Sequence, residues 1–371
     1  MNALEKTIRI SSIAVLLAGF VLQEPLLARQ ASNAESDTTR TSQSGIYPLP
    51  IIFYTPETGI AGGAAALYLY RDSLSPRASG ITADIIYTQK KQFVAEISGD
   101  QYFEVGRYRL VTDLFFQKYP NKFFGIGNNT PESSEETYTP QTFLVKAVFY
   151  TTLSSHVNIG PMVRYENVLI QESLASGALA AGILPGSRGG NSLGLGIVAN
   201  WDSRDNTFAT QSGSFYQLTT LFYRSVFGSD YSYDDIQIDT RNFFRICSDH
   251  VVAVQGFGEF IDGLAPFQSY AKFGGQNILR GYFEGRYRDK NTVALQAEYR
   301  IPVWWRFGLV GFAGVAQVAD RIGILAMNRF WFAGGVGLRF AWSPEERINL
   351  RLDYGVGSNS SGMYITMTEA F

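Results

Sequence analysis

From Ile46 to the last residue the chain is built of segments of about ten residues in which apolar and polar side chains alternate, and none carries an amphipathic helical pattern. Segment 348–357 shows it most cleanly. Ile348, Leu350, Leu352, Tyr354 and Val356 fall on one side, and Asn349, Arg351, Asp353, Gly355 and Gly357 on the other. In 292–301, Val293, Leu295, Ala297, Tyr299 and Ile301 oppose Thr292, Gln296, Glu298 and Arg300. Successive side chains of a strand point to opposite faces, so period two means strands with one apolar and one polar face. Two folds accept such strands. A soluble sandwich turns the apolar face onto a second sheet, and a transmembrane barrel turns it to lipid and the polar face to its lumen.

Strand count and loop lengths favour the barrel. The pattern starts strands near residues 46, 59, 79, 92, 107, 139, 156, 192, 213, 232, 250, 291, 305, 329, 348 and 362, an even sixteen. The long gaps, roughly 119–138, 171–191 and 262–290, all follow odd strands. Gaps after even strands are brief, the longest being about ten residues around Asp205. Long outer loops and short periplasmic turns are the asymmetry of outer-membrane barrels, and this parity places both ends of the barrel in the periplasm. The same topology sets Trp201, Trp304, Trp305 and Trp342 at periplasmic strand ends and Trp331 at an outer end, the interfaces that tryptophan favours. The 27 Phe, 21 Tyr and 37 Gly fit strands rather than helices. Mean hydropathy close to zero is far below that of a helical membrane protein. The expected fold is therefore all-β, a 16-stranded antiparallel transmembrane barrel over 46–371.

The rest of the sequence narrows the function classes. Lys6 and Arg9 precede an apolar run from Ile10 to Leu22, and Ser32-Asn33-Ala34 offers a small-x-small cleavage site, with Ala28 an alternative end. Residues 1–34 read as a secretion signal and 35–45 as a short disordered lead. The net charge of −2 argues against nucleic acid as a partner. One cysteine, Cys247, forms no internal disulfide, and two histidines far apart in sequence argue against a metal site or another cofactor. His156 and His250 both start odd strands, at the periplasmic edge, where a rim hydrolase would not keep its base, so no enzyme is expected. Glu132, Glu135 and Glu136 in the third outer loop read as solvated. A receptor with an N-terminal plug would need a larger barrel.

Particular motifs then point to a family. The loop after the eleventh strand reads Gly274-Gly275-Gln276-Asn277-Ile278-Leu279-Arg280-Gly281-Tyr282. Its Arg-Gly-Tyr resembles the signature of the bacterial surface-antigen family of outer-membrane barrels, which holds the central barrel of the assembly machinery, the translocation-assembly barrel and the two-partner secretion pores. Glu298 resembles the acid on strand 12 that receives the loop arginine. Gly335-Val336-Gly337-Leu338-Arg339 resembles the family's glycine-rich strand, and Leu352-Asp353-Tyr354-Gly355 its Leu-Asp-x-Gly strand. Asp202-Ser203-Arg204-Asp205-Asn206 with Gly213 resembles its Asp-x-Arg-Asp turn. Phe371, ending a segment that reads as strand from Tyr364, resembles the C-terminal signal read by the assembly machinery.

The resemblance implies a sixth outer loop folded into the lumen, with Arg280 paired to Glu298. The residue pattern agrees: Glu298, Arg300, Arg339 and Asp353 share the inward face, and a guanidinium in a narrow lumen needs a carboxylate. Two features depart from the family. Gly314, in Phe312-Ala313-Gly314, stands where an aspartate is usual, which would deprive Arg280 of a second partner. Residues 35–45 are too few to hold the periplasmic polypeptide-binding (POTRA) domains common in the family. The implied role is insertion or translocation of polypeptides at the outer membrane, with lipid, the assembly machinery and polypeptide clients as partners. Proline at 48, 50 and 56 would thin the hydrogen bonds of a seam between first and last strands. A small-solute pore gated by the Arg280 loop, and a structural or surface-interaction barrel, are the alternatives.

Overall fold

In the computed structural model the described residues are 45–70, 79–247, 249–324 and 330–371; the expected signal and most of the lead fall outside them. Sixteen long strands follow in order: β1 (Gly45–Thr55), β2 (Gly59–Tyr70), β3 (Ser79–Thr88), β4 (Phe93–Phe103), β5 (Tyr108–Lys118), β6 (Glu136–Thr152), β7 (Val157–Ser173) and β8 (Gly190–Asp202). Then come β9 (Gly213–Tyr223), β10 (Ser232–Arg245), β11 (Val251–Leu264), β12 (Asn291–Trp304), β13 (Phe307–Ala319), β14 (Trp331–Ser343), β15 (Ile348–Gly357) and β16 (Ser360–Met367). Each start lies within three residues of its sequence expectation. Every strand pairs antiparallel with its chain neighbours, and β1 meets β16 to close the barrel. A short strand Asn121–Phe123 adds to β6, and the loop hairpin Ala271–Phe273/Tyr287–Asp289 stands apart.

The alternation separates lipid from lumen as expected. On β12, Leu295 and Tyr299 point outward, while Thr292, Gln296, Glu298 and Arg300 are buried inside. On β15, Leu352, Tyr354 and Val356 face out and Arg351 and Asp353 face in. Ile348 departs from this pattern. The β14–β15 register shifts between Ala341 and Ser343, and Ile348 packs inward against Phe208 and Met367. The lumen is lined by side chains rather than empty: Val111, Val148, Met162, Val198, Leu221 and Ile261 form one apolar cluster along its wall.

Two placements correct the sequence reading. Trp331 is no interface anchor at the outer rim. It turns inward, stacks on Tyr287 at 4.4 Å and donates from Nε1 to the Asn128 backbone oxygen at 3.1 Å, so it is core of the loop cap. The last strand does not run to Phe371. It ends at Met367, Thr368 takes φ +63°, and Glu369–Phe371 turn into the lumen, where Phe371 packs against Phe243, Ala253 and Ala370.

Proline on β1 explains why the strand stops. Extending the one β1–β16 pair, Tyr54↔Ile365, would set Pro50 opposite Glu369 and Pro48 opposite Phe371. The β1–β2 ladder is unbroken from Gly45 to Thr55, so both missing donors fall on the edge facing β16. The tail finds no ladder there and takes its partners from the lumen.

The lipid face is directly testable. Leu295→Arg should cost about 2–4 kcal/mol, the depth-dependent penalty for a basic residue near the bilayer centre. Urea unfolding in phospholipid vesicles measures it, with Glu345→Arg, in the β14–β15 turn, expected to cost far less.

Candidate functional site: the lumen loop and its charge network

The connection 265–290 between β11 and β12 folds back into the barrel. Glycine makes this possible where chain meets chain. A Cβ on Gly355 would lie 2.6 Å from the Arg280 backbone oxygen, and one on Gly281 (φ +118°) would lie 2.9 Å from the Val356 backbone. Loop and β15 thus touch backbone to backbone. The Gly281 N–H donates to the Tyr364 hydroxyl at 3.1 Å, tying the loop to β16. The Tyr282 hydroxyl donates to the Phe332 backbone oxygen at 3.0 Å and accepts from the Ser358 N–H at 2.8 Å. Gln296 on β12 accepts from the Leu279 N–H at 3.2 Å and donates to the Asn277 oxygen at 2.7 Å.

This clamp delivers Arg280, 1 % exposed, to the inner wall. Its Nη2 pairs with Glu298 Oε1 on β12 and its Nη1 with Asp353 Oδ2 on β15. Its guanidinium lies 3.7 Å from the centre of the Phe312 ring, a cation–π contact in a desolvated place. The structure therefore brings Arg280, Gly281, Tyr282 and Glu298 together, and it supplies a second carboxylate that the motif reading did not. The space beside Gly314 is taken by Leu279 and Gln296. Asp353, which the alternation already placed inward, occupies the second position. The missing acid on β13 does not leave Arg280 half-paired.

The network continues toward the periplasmic end. Arg339 Nη1 holds Asp353 Oδ1 at 2.5 Å, and its Nε holds Glu369 Oε2 at 2.7 Å. A Cβ on Gly337 would fall 2.0 Å from Asp353 Oδ1, so this glycine leaves room for the pair; Gly335 likewise admits the β15 backbone and the Phe312 ring. Arg300 donates from Nε to Glu298 Oε2 at 2.8 Å, from Nη2 to the Phe371 oxygen at 3.0 Å and from Nη1 to the Thr210 oxygen at 3.3 Å. Arg351 bonds Thr366 Oγ1 at 2.7 Å and the Gln276 oxygen at 3.2 Å. Burial alone would raise the Glu369 carboxyl, but Arg339 and Arg300 outweigh it and hold the group below the usual carboxylate range. The stability it lends is present at neutral pH and is lost as pH falls through that lowered value.

The remaining motif residues lie apart from this loop. Arg204 folds back on Asp202 at 2.7 Å and stacks on Phe215, and Asp205 binds Arg347 at 2.6 Å in the β14–β15 turn. Glu136 is buried in the loop cap, where it accepts from the Leu179 N–H at 3.3 Å, while Glu132 and Glu135 stay exposed, Glu135 in a surface pair with Lys122. His156 and His250 sit at periplasmic turns, stacked on Trp201 and bonded to the Tyr299 hydroxyl. Among the described residues no three His, Cys, Asp or Glu side chains converge to hold a metal. The loop anchor as a whole is a buried ion network in which one guanidinium, shared by the carboxylates of Glu298 on β12 and Asp353 on β15, fixes the loop in one place.

Comparison with known proteins bears on this architecture. A family model, the Omp85 superfamily domain, matches residues 80–364. The structure is similar to that of BamA from Haemophilus ducreyi lacking POTRA domains 1-3, with TM-score 0.63 and 14% identity over 88% of this chain and 70% of that one. It is also similar to CdiB from Acinetobacter baumannii (TM-score 0.55, 10% identity, 95% and 73% covered) and CdiB from Escherichia coli (0.52, 8%, 92% and 69%). At these identities the likeness is one of fold. No curated protein matches the sequence.

Removing one partner of a buried ion network strands the others, at a cost of about 3–5 kcal/mol. Arg280→Ala should lower unfolding stability by that order, measured by urea titration in vesicles. Arg280→Lys should recover little of it, because an ammonium cannot fork between Glu298 and Asp353.

Proposed function

The chain belongs to the Omp85 superfamily, a barrel of the bacterial outer membrane, and from that premise we propose that it inserts or translocates polypeptides there, using the β1–β16 seam as the working edge. One observation carries this reading. Neighbouring strands are laddered along most of their length, eleven pairs for β1–β2 and eight for β15–β16, yet among the described residues β1 meets β16 through Tyr54↔Ile365 alone. An edge with free acceptors and donors can template an incoming strand. Pro48 and Pro50 keep the lower half of that edge from being occupied by the chain's own tail. The lumen loop anchors to β12 and β15 and bonds Tyr364 of β16, so it steadies one side of the seam while the other stays loose. We further propose that Phe371 is read by the assembly machinery before the tail tucks inward, and that residues 1–34 are removed on export.

The test is to lock the seam. In a Cys247→Ser background, Tyr54→Cys with Ile365→Cys should form a disulfide across the single pair. The oxidised protein should remain folded, shown by heat-modifiable migration, but fail to speed the assembly of a urea-unfolded eight-stranded barrel into vesicles. Reduction should restore the rate. An oxidised protein that works as fast as the reduced one would overturn the reading.

A further inference from the structure

The periplasmic mouth holds a structure that neither the lumen loop nor the seam accounts for. The connection Ser203–Ser212 leaves β8 and returns to β9, but between these it reaches toward β14–β16, six or seven strands around the barrel. Asn206 bends it: its Oδ1 accepts from the N–H groups of Phe208 at 2.8 Å and Ala209 at 3.0 Å, and its Nδ2 donates to the Glu346 oxygen at 3.3 Å. Asp205 Oδ1 accepts from the Gln211 N–H at 2.9 Å, which closes the bend, while Oδ2 takes Arg347. Phe208, 3 % exposed, is driven into an apolar seat made by Ile348 and Met367. A turn that only joined two neighbouring strands would need neither the Glu346 and Arg347 contacts nor the seat for Phe208.

The tail crosses the other way. From β16 it passes Glu369, held by Arg339 and by Asn349 Nδ2 at 2.8 Å, and ends with Phe371 against Phe243 of β10 and Ala253 of β11. Strap and tail meet where the Glu369 N–H donates to the Phe208 oxygen at 3.2 Å. They meet again at Arg300, whose guanidinium takes the Thr210 oxygen of the strap and the Phe371 oxygen of the tail while its Nε holds Glu298, the carboxylate of the loop anchor.

We propose that strap Ser203–Ser212 and tail Thr368–Phe371 together form a periplasmic gate across the lumen, in series with the Arg280 loop and coupled to it through Arg300. The two barriers share one charge inventory. Glu298 is divided between Arg280 above and Arg300 below, so release of Arg280 frees that carboxylate to draw on Arg300 alone and changes the hold on strap and tail. The gate stands on geometry independent of what the barrel handles.

Single-channel conductance in planar bilayers tests this with four proteins: wild type, Arg280→Ala, Phe208→Ala with Asp205→Asn, and all three substitutions together. Because Arg280 is coupled to strap and tail through Glu298 and Arg300, Arg280→Ala should loosen both barriers and raise conductance, whereas Phe208→Ala with Asp205→Asn leaves the loop in place and should raise it less. The combined variant, with both barriers open, should conduct more than either parent. To separate gating from loss of fold, Asn206→Cys and Glu346→Cys joined by a short bismaleimide in the Arg280→Ala, Cys247→Ser protein should cap its conductance near the wild-type level, since the strap is then fixed. A combined variant no more conductive than Arg280→Ala alone, or a crosslinked strap that leaves the Arg280→Ala conductance unchanged, would overturn the proposal.

Discussion

A strand in hydrocarbon must give every backbone N–H and C=O to a neighbour, and a barrel is the closed solution to that demand. This chain meets the demand at fifteen of its sixteen junctions and relaxes it at the last. The relaxation is written in covalent chemistry: Pro48 and Pro50 lack the donors that β16 would need, and their alternate spacing puts both losses on the same edge. No softness of packing is involved. The seam strands keep full ladders on their other sides, so the barrel holds its shape while one edge remains short of partners. The tail, left without a ladder, becomes part of the lumen.

The lumen charges answer a different problem. Arg280, Arg300, Arg339 and Arg351 surround Glu298, Asp353 and Glu369 at near-complete burial. Such networks add little net stability over apolar packing, but they punish every arrangement except one. Here the arrangement they select is a loop pressed against β12–β16 on one side of the barrel. Gly281, Gly337 and Gly355 serve the same end by letting backbone and carboxylate occupy space that a Cβ would fill. The result is a stiff sector beside a weak seam, which is what a barrel needs if it is to open at one place without coming apart.

How much of this could be read from the sequence follows from which interactions are periodic. Strand positions, inward faces and loop parity are set by period-two alternation and turn residues, and the sequence carries them openly. Arg280 and Glu298 stood out because a motif and the inward face of β12 agreed. Asp353 was seen to point inward, but that it meets Arg280 from β15 depends on the depth to which the loop folds, which no local pattern encodes. Trp331 follows strand-end logic in sequence, yet the cap formed by the third and sixth outer loops draws it inside. The tail and the strap were missed for the same reason. Their contacts join residues more than a hundred positions apart, such as Asn206 with Glu346, and such pairs leave no trace in a single sequence. The one hint was the ten-residue length of a turn on the side where turns are otherwise short.

The most direct measurement is residue-resolved amide hydrogen exchange of the protein in lipid nanodiscs. If β1 and β16 are joined by a single pair, the amides of Ile52 on β1 and of Met363 and Met367 on β16, which point into the seam, should exchange orders of magnitude faster than amides within β6 and β7, while their alternate neighbours, bonded to β2 and β15, stay protected. Seam amides as slow as those of β6 and β7 would mean a fully laddered closure, and would contradict the account.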